Sequence, residues 1–518
     1  MHDCLTIPEI LQIIVENLRL PSGSKDRRAL AILARTSRAF SALVLDELWK
    51  DLSEAEAILC CMPLDLFSGR GKDRKLLRPM KTSDWDRPRG YLSRVKHFTL
   101  WSHGDCDAIA DILPALNASL PAGKVEFYFP SMTALDWRNE YELPHMRFLL
   151  SARLTELSLR FPSSDTNFSF LSSIPLVCPG LKELDVTSPL PDGPSISELI
   201  RGLHSLQKLR IPVPDLASLE HISRQKGLTS LECSLLNTLP ILRSPLSFNA
   251  LEEVTFRHTN LETIINLLSR CSLSVLKRLE ISPSSSTTTT CANKLHKTLS
   301  ESCTPSSLTA LKLYFSAGGV AEGHPEMYTI PFHCFEPLFC FRLTSIVISS
   351  MSGIRLNDEE MEIIARTWPC IQHLTLLERV ECQTLSLRSL VILAKHCPSL
   401  ETLALSLNTR SIPELATSNG CQLISQLALY KLEIGRSPVF APVIHTTRFL
   451  SSIFPNLSAV NTEVDEWGLY DEDEDPDSEL KLYDGLWKEV ESQLSIFKAV
   501  RDEERARVLA ELKPTGKA

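Results

Sequence analysis

The side chains most often used in catalysis and metal binding, thirteen histidines and fifteen cysteines, are spread along the 518 residues of the chain. The histidines closest to repeated hydrophobic segments are His97, His204, His221 and His258. Catalytic motifs are missing: there is no GxSxG turn, no HExxH helix, no Walker loop and no GxGxxG turn. We therefore expect a protein with neither catalytic residues nor a cofactor. An enzyme with a dispersed site is the alternative, which a strongly perturbed cysteine or histidine in a closed pocket would support.

The cysteines indicate neither disulfides nor a metal site. No CxxC pair occurs, the number of cysteines is odd, and no cysteines and histidines have the close spacing of a structural zinc site. Free and mostly buried thiols are typical of a reducing compartment. The sequence also has no secretory signal and no apolar run approaching the roughly 20 residues of a membrane helix. We expect an intracellular protein of the cytoplasm, the nucleus or both, without a membrane partner.

Composition and charge indicate an ordinary folded protein. Hydrophobic residues make up 43% of the chain and charged residues 23%, which is typical of globular domains. The net charge is −9 and the isoelectric point is about 5.9. Because nucleic-acid binding needs clustered lysine and arginine, we expect no nucleic-acid partner.

The first fifty residues have the pattern of a small helical unit. Thr6 is a good N-cap, Glu9 completes a capping box, and Pro8 fits the first turn of a helix. The apolar residues with helical spacing that accompany them are Ile7, Ile10, Leu11, Ile14 and Leu18. Residues 21–23 interrupt the pattern, and a second apolar series resumes it from Leu30 to Leu52. This pattern predicts three short helices.

This unit resembles an F-box in the run TIPEIL from Thr6, in Ser37 to Phe40 and in Leu48-Trp49. The resemblance implies docking on a Skp-family adaptor, which links F-box proteins to a cullin scaffold that carries a ubiquitin-conjugating enzyme. The adaptor-binding residues that it implies are Ile7, Pro8, Ile10, Leu11, Ile14, Leu33, Leu48 and Trp49. The family usually has Leu where this chain has Ile7, and a Val-Cys or Val-Ser pair where it has Ala34 to Ser37. An ordinary helical cap on a larger fold is the alternative.

The middle of the chain repeats the template LxxLxL. Clear copies begin at Leu154, Leu181, Leu206, Leu228, Leu251, Leu276, Leu308, Leu343, Ile371 and Leu400, weaker ones at Ile424 and Leu457, and a degenerate one at Val95. Successive clear copies are 22 to 35 residues apart, which is the period of a leucine-rich repeat with insertions. Positions one, four and six turn inward and positions three and five outward along a short strand. Since one repeat cannot bury its leucines alone, the pattern predicts a stacked array.

The predicted fold class is α/β: a three-helix F-box, then an irregular leucine-rich-repeat solenoid with a parallel sheet on the concave side and helices on the convex side. The repeats resemble the arrays of many F-box proteins, fungal ones included, most closely at Cys178 to Leu181 and Cys397 to Leu400. A conventional α/β domain is the alternative. Outward positions predicted to bind a target on the concave face are Glu183, Asp185, Lys208, Arg210, Arg278, Glu280, Lys312 and His373. They are equally well interpreted as the polar side of a sheet.

The predicted domain bounds are F-box 1–53, linker or helical connection 54–90, solenoid 91–462, acidic linker 463–479 and helical cap or tail 480–518. The run Asp471 to Asp477 is nearly all acidic, which indicates a solvated segment. An apolar helical stripe from Leu480 to Phe497 is predicted to cover the open end of the array. The Ser/Thr run from Ser282 to Thr290 predicts a flexible loop.

Joining the two parts predicts the substrate-recognition subunit of a Skp, cullin, F-box (SCF) type ubiquitin ligase, whose repeats hold an unknown target protein. The alternative is a leucine-rich-repeat scaffold or regulatory binding protein that is not coupled to ubiquitin transfer.

Overall fold

In a computed structural model of the protein, the described residues are 7–20, 24–36, 38–53, 56–69, 74–101, 115, 118–119, 125–138, 146–147, 149–160, 168–187, 193–235, 245–284, 286–315, 327–350, 353–378, 384–414, 425–435, 437–440, 442–462 and 479–511. The chain divides into two compact units, Met1–Cys233 and Ser234–Ala518. Within each unit, the strands of the main sheet lie in chain order and pair in parallel.

The first unit contains a sheet with one strand for each repeat. Its described strands are Asp51–Leu52, His97–Trp101, Ala134–Arg138, Glu156–Arg160, Glu183–Thr187, Lys208–Ile211 and Ser230–Cys233. In the copy LKELDV, Leu181, Leu184 and Val186 are buried, whereas Glu183 and Asp185 remain partly exposed. The predicted inward and outward positions of the template are therefore confirmed for this copy.

The second unit repeats the arrangement. Its main strands are Glu253–Thr259, Arg278–Pro283, Ala310–Phe315, Ser345–Ser350, His373–Glu378, Thr402–Leu405, Lys431–Glu433 and Ala459–Asn461. Two short parallel pairs, Leu246–Ser247 with Cys271–Ser272 and Ile330–Pro331 with Ile354–Arg355, accompany them. The α/β class and the parallel sheet are thus confirmed in both units.

Helices alternate with the strands and cover their inward leucines. In the first unit, beyond the N-terminal helices, they are Glu56–Cys61, Asp86–Leu92, Val125–Tyr128, Ile174–Val177, Gly193–Gly202 and Leu216–Ser223; in the second they are Leu261–Leu268, Thr289–Ser302, Asp358–Thr367, Arg388–His396, Ile444–Ile453 and Glu479–Glu511. Short 3-10 helices occupy Thr82–Trp85, Phe168–Ser173, Phe332–Cys334 and Glu336–Cys340. Polar caps start several of these helices: Asp215 and Asn260 accept backbone N–H groups, and Asn357 forms a capping box with Glu360.

Two repeats differ from the prediction. The strand Ala134–Arg138 was not predicted, because its copy reads MTALDW and begins at Met132 instead of a leucine. The copy predicted from Ile424 is out of register: the strand is Lys431–Glu433, and its inward residues are Leu429, Leu432 and Ile434. Leu427, which the template placed inward, is 54% exposed. Two overlapping apolar series occur here, and burial selects the later one.

Both ends of the Ser/Thr run belong to regular elements, and the residues between them connect a strand to a helix. Its first residues complete the strand Arg278–Pro283, and its last begin the helix Thr289–Ser302. Thr288 is the N-cap of this helix, and its hydroxyl accepts the Cys291 N–H at 3.3 Å. Threonine favours this position because its side chain replaces a missing backbone acceptor.

Three helices form the N-terminus of the first unit: α1 Pro8–Glu16, α2 Arg27–Thr36 and α3 Arg38–Lys50. The apolar residues that form their common core are Leu11, Val15, Leu30, Phe40 and Val44. The predicted capping box fails, because the N-cap of α1 is Ile7, which makes no side-chain cap bond. Thr6 lies outside the described residues.

The three helices continue directly into the sheet. The last residue of α3 is Lys50, and the next two residues form the strand Asp51–Leu52, which pairs in parallel with His97 and Phe98. The segment predicted as a linker or helical connection is folded, since Met62, Leu66 and Trp85 are buried. The sheet therefore begins within the predicted F-box and not at residue 91.

The C-terminal helix Glu479–Glu511 covers the last strand of the second unit. Trp487, Val490 and Leu494 are buried, and the Trp487 indole donates to the Ser437 carbonyl at 2.9 Å. The Glu491 carboxylate accepts the Val460 N–H of the edge strand at 3.2 Å. The helix thus buries apolar surface and satisfies an exposed strand edge, which is what a cap must do. The acidic run lies outside the described residues.

Replacing Trp487 by alanine is expected to destabilise the last repeats by about 3–5 kcal/mol, because it removes a buried aromatic ring and a hydrogen bond. Hydrogen exchange of the strand Ala459–Asn461 and urea unfolding would measure this loss. The matched control is Leu482→Ala on the same helix, whose side chain is exposed and whose loss should change stability by less than about 0.5 kcal/mol. Equal effects of the two variants would refute the capping role.

A buried histidine makes the second unit sensitive to acid. His296 is fully buried and its Nδ1 lies 2.5 Å from the Cys334 carbonyl oxygen, while its Nε2 has no hydrogen-bond partner among the described residues. Burial lowers the pKa of His296 from 6.5 to about 4, although the Cys334 carbonyl opposes the shift. Since the unfolded chain binds this proton more readily, stability contributed by the neutral ring is present above pH 6.5 and is lost as the pH falls towards 4.

Between pH 7.5 and pH 5 this residue should account for a loss of about 2 kcal/mol in the free energy of unfolding. His296→Asn keeps an N–H near the Cys334 carbonyl but cannot titrate, so its stability should depend less on pH by that amount. Chemical unfolding at the two pH values measures the difference. His333→Asn, which changes an exposed histidine nearby, should retain the wild-type dependence; an unchanged slope in His296→Asn would contradict the assignment.

Candidate functional site

Some of the residues implied as adaptor contacts lie on the surface, and others pack in the core of the helical unit. Ile7 is exposed and Ile10 is partly exposed, so both are available to a partner. Leu11 is only 3% exposed and belongs to the core; its side chain supports the surface and is not part of it. Ile14, Leu33 and Leu48 are partly buried and pack against the same core. Nothing is described of the Pro8 side chain.

Exposed apolar residues that the sequence analysis did not single out lie on the same unit. Ile13 and Ile32 are 58% and 57% exposed, and Leu20 is also exposed. Ile13 lies two residues after Leu11, or about 200° around α1, so it points away from the core that Leu11 enters. The sequence feature that indicates this exposed position is an isoleucine on the polar side of the helical pattern.

Trp49 faces the repeats. Its ring stacks on Tyr91 with centroids 5.0 Å apart, and Tyr91 belongs to the helix Asp86–Leu92. On the same helix α3, Asp46 forms an ion pair with Arg94, which also donates to the Ala42 carbonyl at 3.2 Å. These contacts fix α3 to the first repeats, and Trp49 takes part in that junction.

A second contact network joins the helices to the sheet. Lys25 Nζ lies 2.6 Å from Asp51 Oδ2 and 2.8 Å from Glu47 Oε1, and His97 Nδ1 lies 2.6 Å from Asp51 Oδ1. Burial tends to raise the pKa of Asp51, but hydrogen bonds from Lys25 and His97 outweigh it and lower that pKa. Asp51 is therefore a charged link between the α1–α2 connection and the first two strands.

The outward residues of the first unit form an open sheet face, the side of the strands opposite the buried leucines. The register places Glu183 beside Lys208 and Asp185 beside Arg210, followed by Glu232. Lys208 Nζ pairs with Glu183 Oε1 at 2.7 Å, and Arg210 Nε lies 3.2 Å from Glu232 Oε1 and 3.8 Å from Asp185 Oδ1. The structure thus brings these four predicted residues together, and they neutralise part of their own charge.

The open face of the first unit surrounds a cavity of about 430 Å³. Its charged lining residues are Asp136, Arg138, Glu156, Glu183, Asp185, Lys208, Arg210 and Glu232. Five carboxylates therefore face three cations, which leaves an excess of two negative charges. Asp136 belongs to the repeat that the sequence analysis missed, whereas Glu156 occupies template position three and could have been found by the same rule as Glu183.

The predicted residues of the second unit lie on the corresponding face of its sheet. Arg278 pairs with Glu253 and Arg257 with Glu280, the latter at 3.2 Å. Lys312 is exposed beside Glu280 in the register. His373 Nδ1 lies 2.9 Å from Thr402 Oγ1, and the neighbouring outward positions Ser345 and Thr375 are neutral. Charge returns to this face at Lys431 and Glu433, which form an ion pair on a later strand.

Burial suppresses the reactivity of several cysteines in the described part of the chain. Burial raises the pKa of the Cys178 thiol to about 11 and of Cys397 to about 12, so these thiols stay protonated and unreactive. Among the described residues no group of three or more His, Cys, Asp or Glu side chains could hold a metal ion. His221 Nε2 lies 3.0 Å from the Leu203 carbonyl oxygen, which is a structural contact.

Comparisons with known proteins leave the family open. No family model matches the chain, and no curated protein matches it. Among solved structures, the chain is similar to one in the crystal structure of the Rad7 and Elc1 complex in yeast, with 13% identity, a TM-score of 0.35 and coverage of 88% of this chain and 87% of that one. It is also similar to one in the TLR13–ssRNA13 complex, with 16% identity, a TM-score of 0.34 and coverage of 77% and 60%. Both TM-scores are below 0.5, so neither likeness supports a conclusion. Within the described residues no helix is long and apolar enough to cross a membrane.

The ion pairs on the open face are expected to add little to stability. Arg210→Ala should cost less than about 1 kcal/mol in the free energy of unfolding, because the guanidinium is solvated and its pairs are screened. Leu209→Ala, on the same strand but buried, should cost about 2–5 kcal/mol. Urea unfolding of the two variants measures the contrast. A cost above about 2 kcal/mol for Arg210→Ala would mean that this face is built for stability.

Proposed function

We propose that the chain is the substrate-recognition subunit of an SCF type ubiquitin ligase. The helices α1 to α3 act as an F-box and dock on a Skp-family adaptor, which links them to a cullin scaffold. The open sheet face of the repeats holds a target protein. This role belongs to the cytoplasm or the nucleus.

The observation that supports docking by the helices is their exposed apolar surface. Ile13 and Ile32 lie more than half exposed on a unit whose own core already contains Leu11 and Leu30. Leaving such side chains in water forgoes about 1.5–3 kcal/mol each relative to burial. A partner that covers them would recover this free energy, and a small helical unit with apolar residues on a second side is suited to that purpose.

In this role the chain contributes no nucleophile. Holding a target beside the conjugating enzyme raises the effective concentration of the target lysine, so the rate increases through proximity alone. The absence of catalytic motifs from the sequence agrees with that division of labour.

The first test is co-purification of the full chain with a Skp-family adaptor. Ile13→Asp and Ile32→Asp should each abolish or strongly reduce the complex, because a carboxylate at the centre of an apolar interface would be desolvated. Leu176→Asp is the matched control, since Leu176 is 84% exposed on a repeat helix. It should leave the complex intact.

Both surface variants should fold, because neither side chain enters the core; circular dichroism of each protein checks this. Adaptor binding that survives both substitutions would reject docking through this surface. A scaffold role without ubiquitin transfer is distinguished by a second measurement: turnover of the captured partner in cells should slow when cullin activity is inhibited, and turnover that ignores cullin activity would favour the scaffold.

A further inference from the structure

The open face of the first unit carries more negative charge than its own side chains neutralise. Each lining cation is already engaged: Arg138 with Asp136 at 2.9 Å, Lys208 with Glu183, and Arg210 with two carboxylates. The two remaining negative charges have no cation in the lining of the cavity. Arg160, the next outward residue after Ser158 on its strand, adds a fourth cation to this face, so five carboxylates outnumber four cations on the strands from Ala134 to Cys233. The face therefore keeps an attraction for positive charge.

The uncompensated charge is concentrated around Glu156. This residue pairs in register with Glu183 on the next strand, so the two carboxylate-bearing positions are about 4.8 Å apart at their backbones. Like charges in this arrangement destabilise a sheet. Lys208 neutralises Glu183, whereas no ion pair of Glu156 is found in the described part of the chain. A sheet selected for stability alone would place a lysine or a glutamine here.

The next row of the same face repeats the crowding of carboxylates. Ser158 lies between Asp136 and Asp185 in the register, and its short side chain leaves room between them. Burial raises the pKa of the Asp185 carboxyl, and the charges of Glu232 and Asp136 add to the rise against the opposing effect of Arg210. Asp136 and Asp185 thus flank Ser158 in the register, and Glu156 precedes it by two residues on the same strand.

We propose that this open face binds an extended protein segment rich in lysine or arginine, with one cationic side chain placed over Ser158 between Glu156 and the two aspartates. The inference rests on the proposed function, in which the open sheet face holds the target, and it adds the chemical class of that target. Charge complementarity selects the occupant: an acidic segment or a nucleic-acid backbone would add like charge to a face that already has an excess.

The test uses the full chain and three fluorescein-labelled peptides of equal length, (Lys-Ser)4, (Gln-Ser)4 and (Glu-Ser)4, with binding followed by fluorescence polarisation. The lysine peptide should bind at least about tenfold more tightly than the glutamine peptide, and its affinity should fall several-fold between 50 and 300 mM salt, because exposed charges are screened. The glutamate peptide should not bind.

Two substitutions locate the binding on this face. Glu156→Gln removes one charge and should weaken binding of (Lys-Ser)4 about threefold; Glu156→Lys reverses it and should weaken binding at least about tenfold. Because Glu156→Lys places a cation beside Glu183, its melting temperature should equal or exceed that of the wild type. Lower affinity then reports lost binding and not lost folding. Glu301→Lys makes the same charge change on an exposed helical position and should keep at least half of the wild-type affinity.

Three results would each overturn this inference: failure of (Lys-Ser)4 to bind, equal binding of all three peptides, or unchanged affinity in Glu156→Lys. None of them bears on the adaptor test. Binding of (Glu-Ser)4 in preference would also overturn the inference. If the lysine peptide binds as expected but the adaptor does not co-purify, the inference about the face stands, and the failure belongs to the proposed link to ubiquitin transfer.

Discussion

The whole architecture depends on one constraint: a repeat of about 25 residues cannot keep its three inward side chains dry unless another repeat lies beside it. Leu181, Leu184 and Val186 are buried because the strands on either side bring similar residues into register. Pairing in parallel is the arrangement that repeats without reversing the chain direction. Because only one face of each strand packs in this core, the residues on the other face can vary with little loss of stability.

That freedom explains why charge accumulates on the open faces. Having a glutamate at position 156 instead of a neutral residue lowers the free energy of unfolding by only a fraction of about 1 kcal/mol, because the strand is solvated on that side. A glutamate at position 157, in place of Leu157, would put a charge in the core. The core therefore sets the position and spacing of the outward side chains to within the regular separation of strands, about 4.8 Å. A partner meets side chains on a rigid lattice, so binding does not have to order them first.

The sequence determined the sheet well because burial and periodicity are the same signal: almost every LxxLxL copy became a strand. The prediction of strands failed where the apolar pattern was incomplete or where two apolar patterns overlapped. The copy at Met132 lacks the first leucine, and two overlapping apolar series around Leu429 offered two registers, between which only packing with neighbours decides. Surface roles were harder still. Periodicity identified Leu11 and Trp49 as apolar residues of the helical unit, but it does not distinguish a core residue from one that faces a partner, and Ile13 lay on the side taken to be polar.

The junction between the helices and the sheet bears directly on how such a protein would act. The helix α3 runs into the first strand without a connecting loop. The contacts of Trp49 with Tyr91 and of Asp51 with Lys25 hold both sides of that junction. A partner of α1 and a partner of the first open face would therefore be held at a fixed separation. A flexible linker would spread the second partner over many positions and lower its effective concentration. A rigid junction confines the second partner. The effective concentration then rises for the lysines that lie within reach, and the other lysines stay out of reach. Selection among lysines of a bound target would then follow from geometry and would need no contact with the lysine itself.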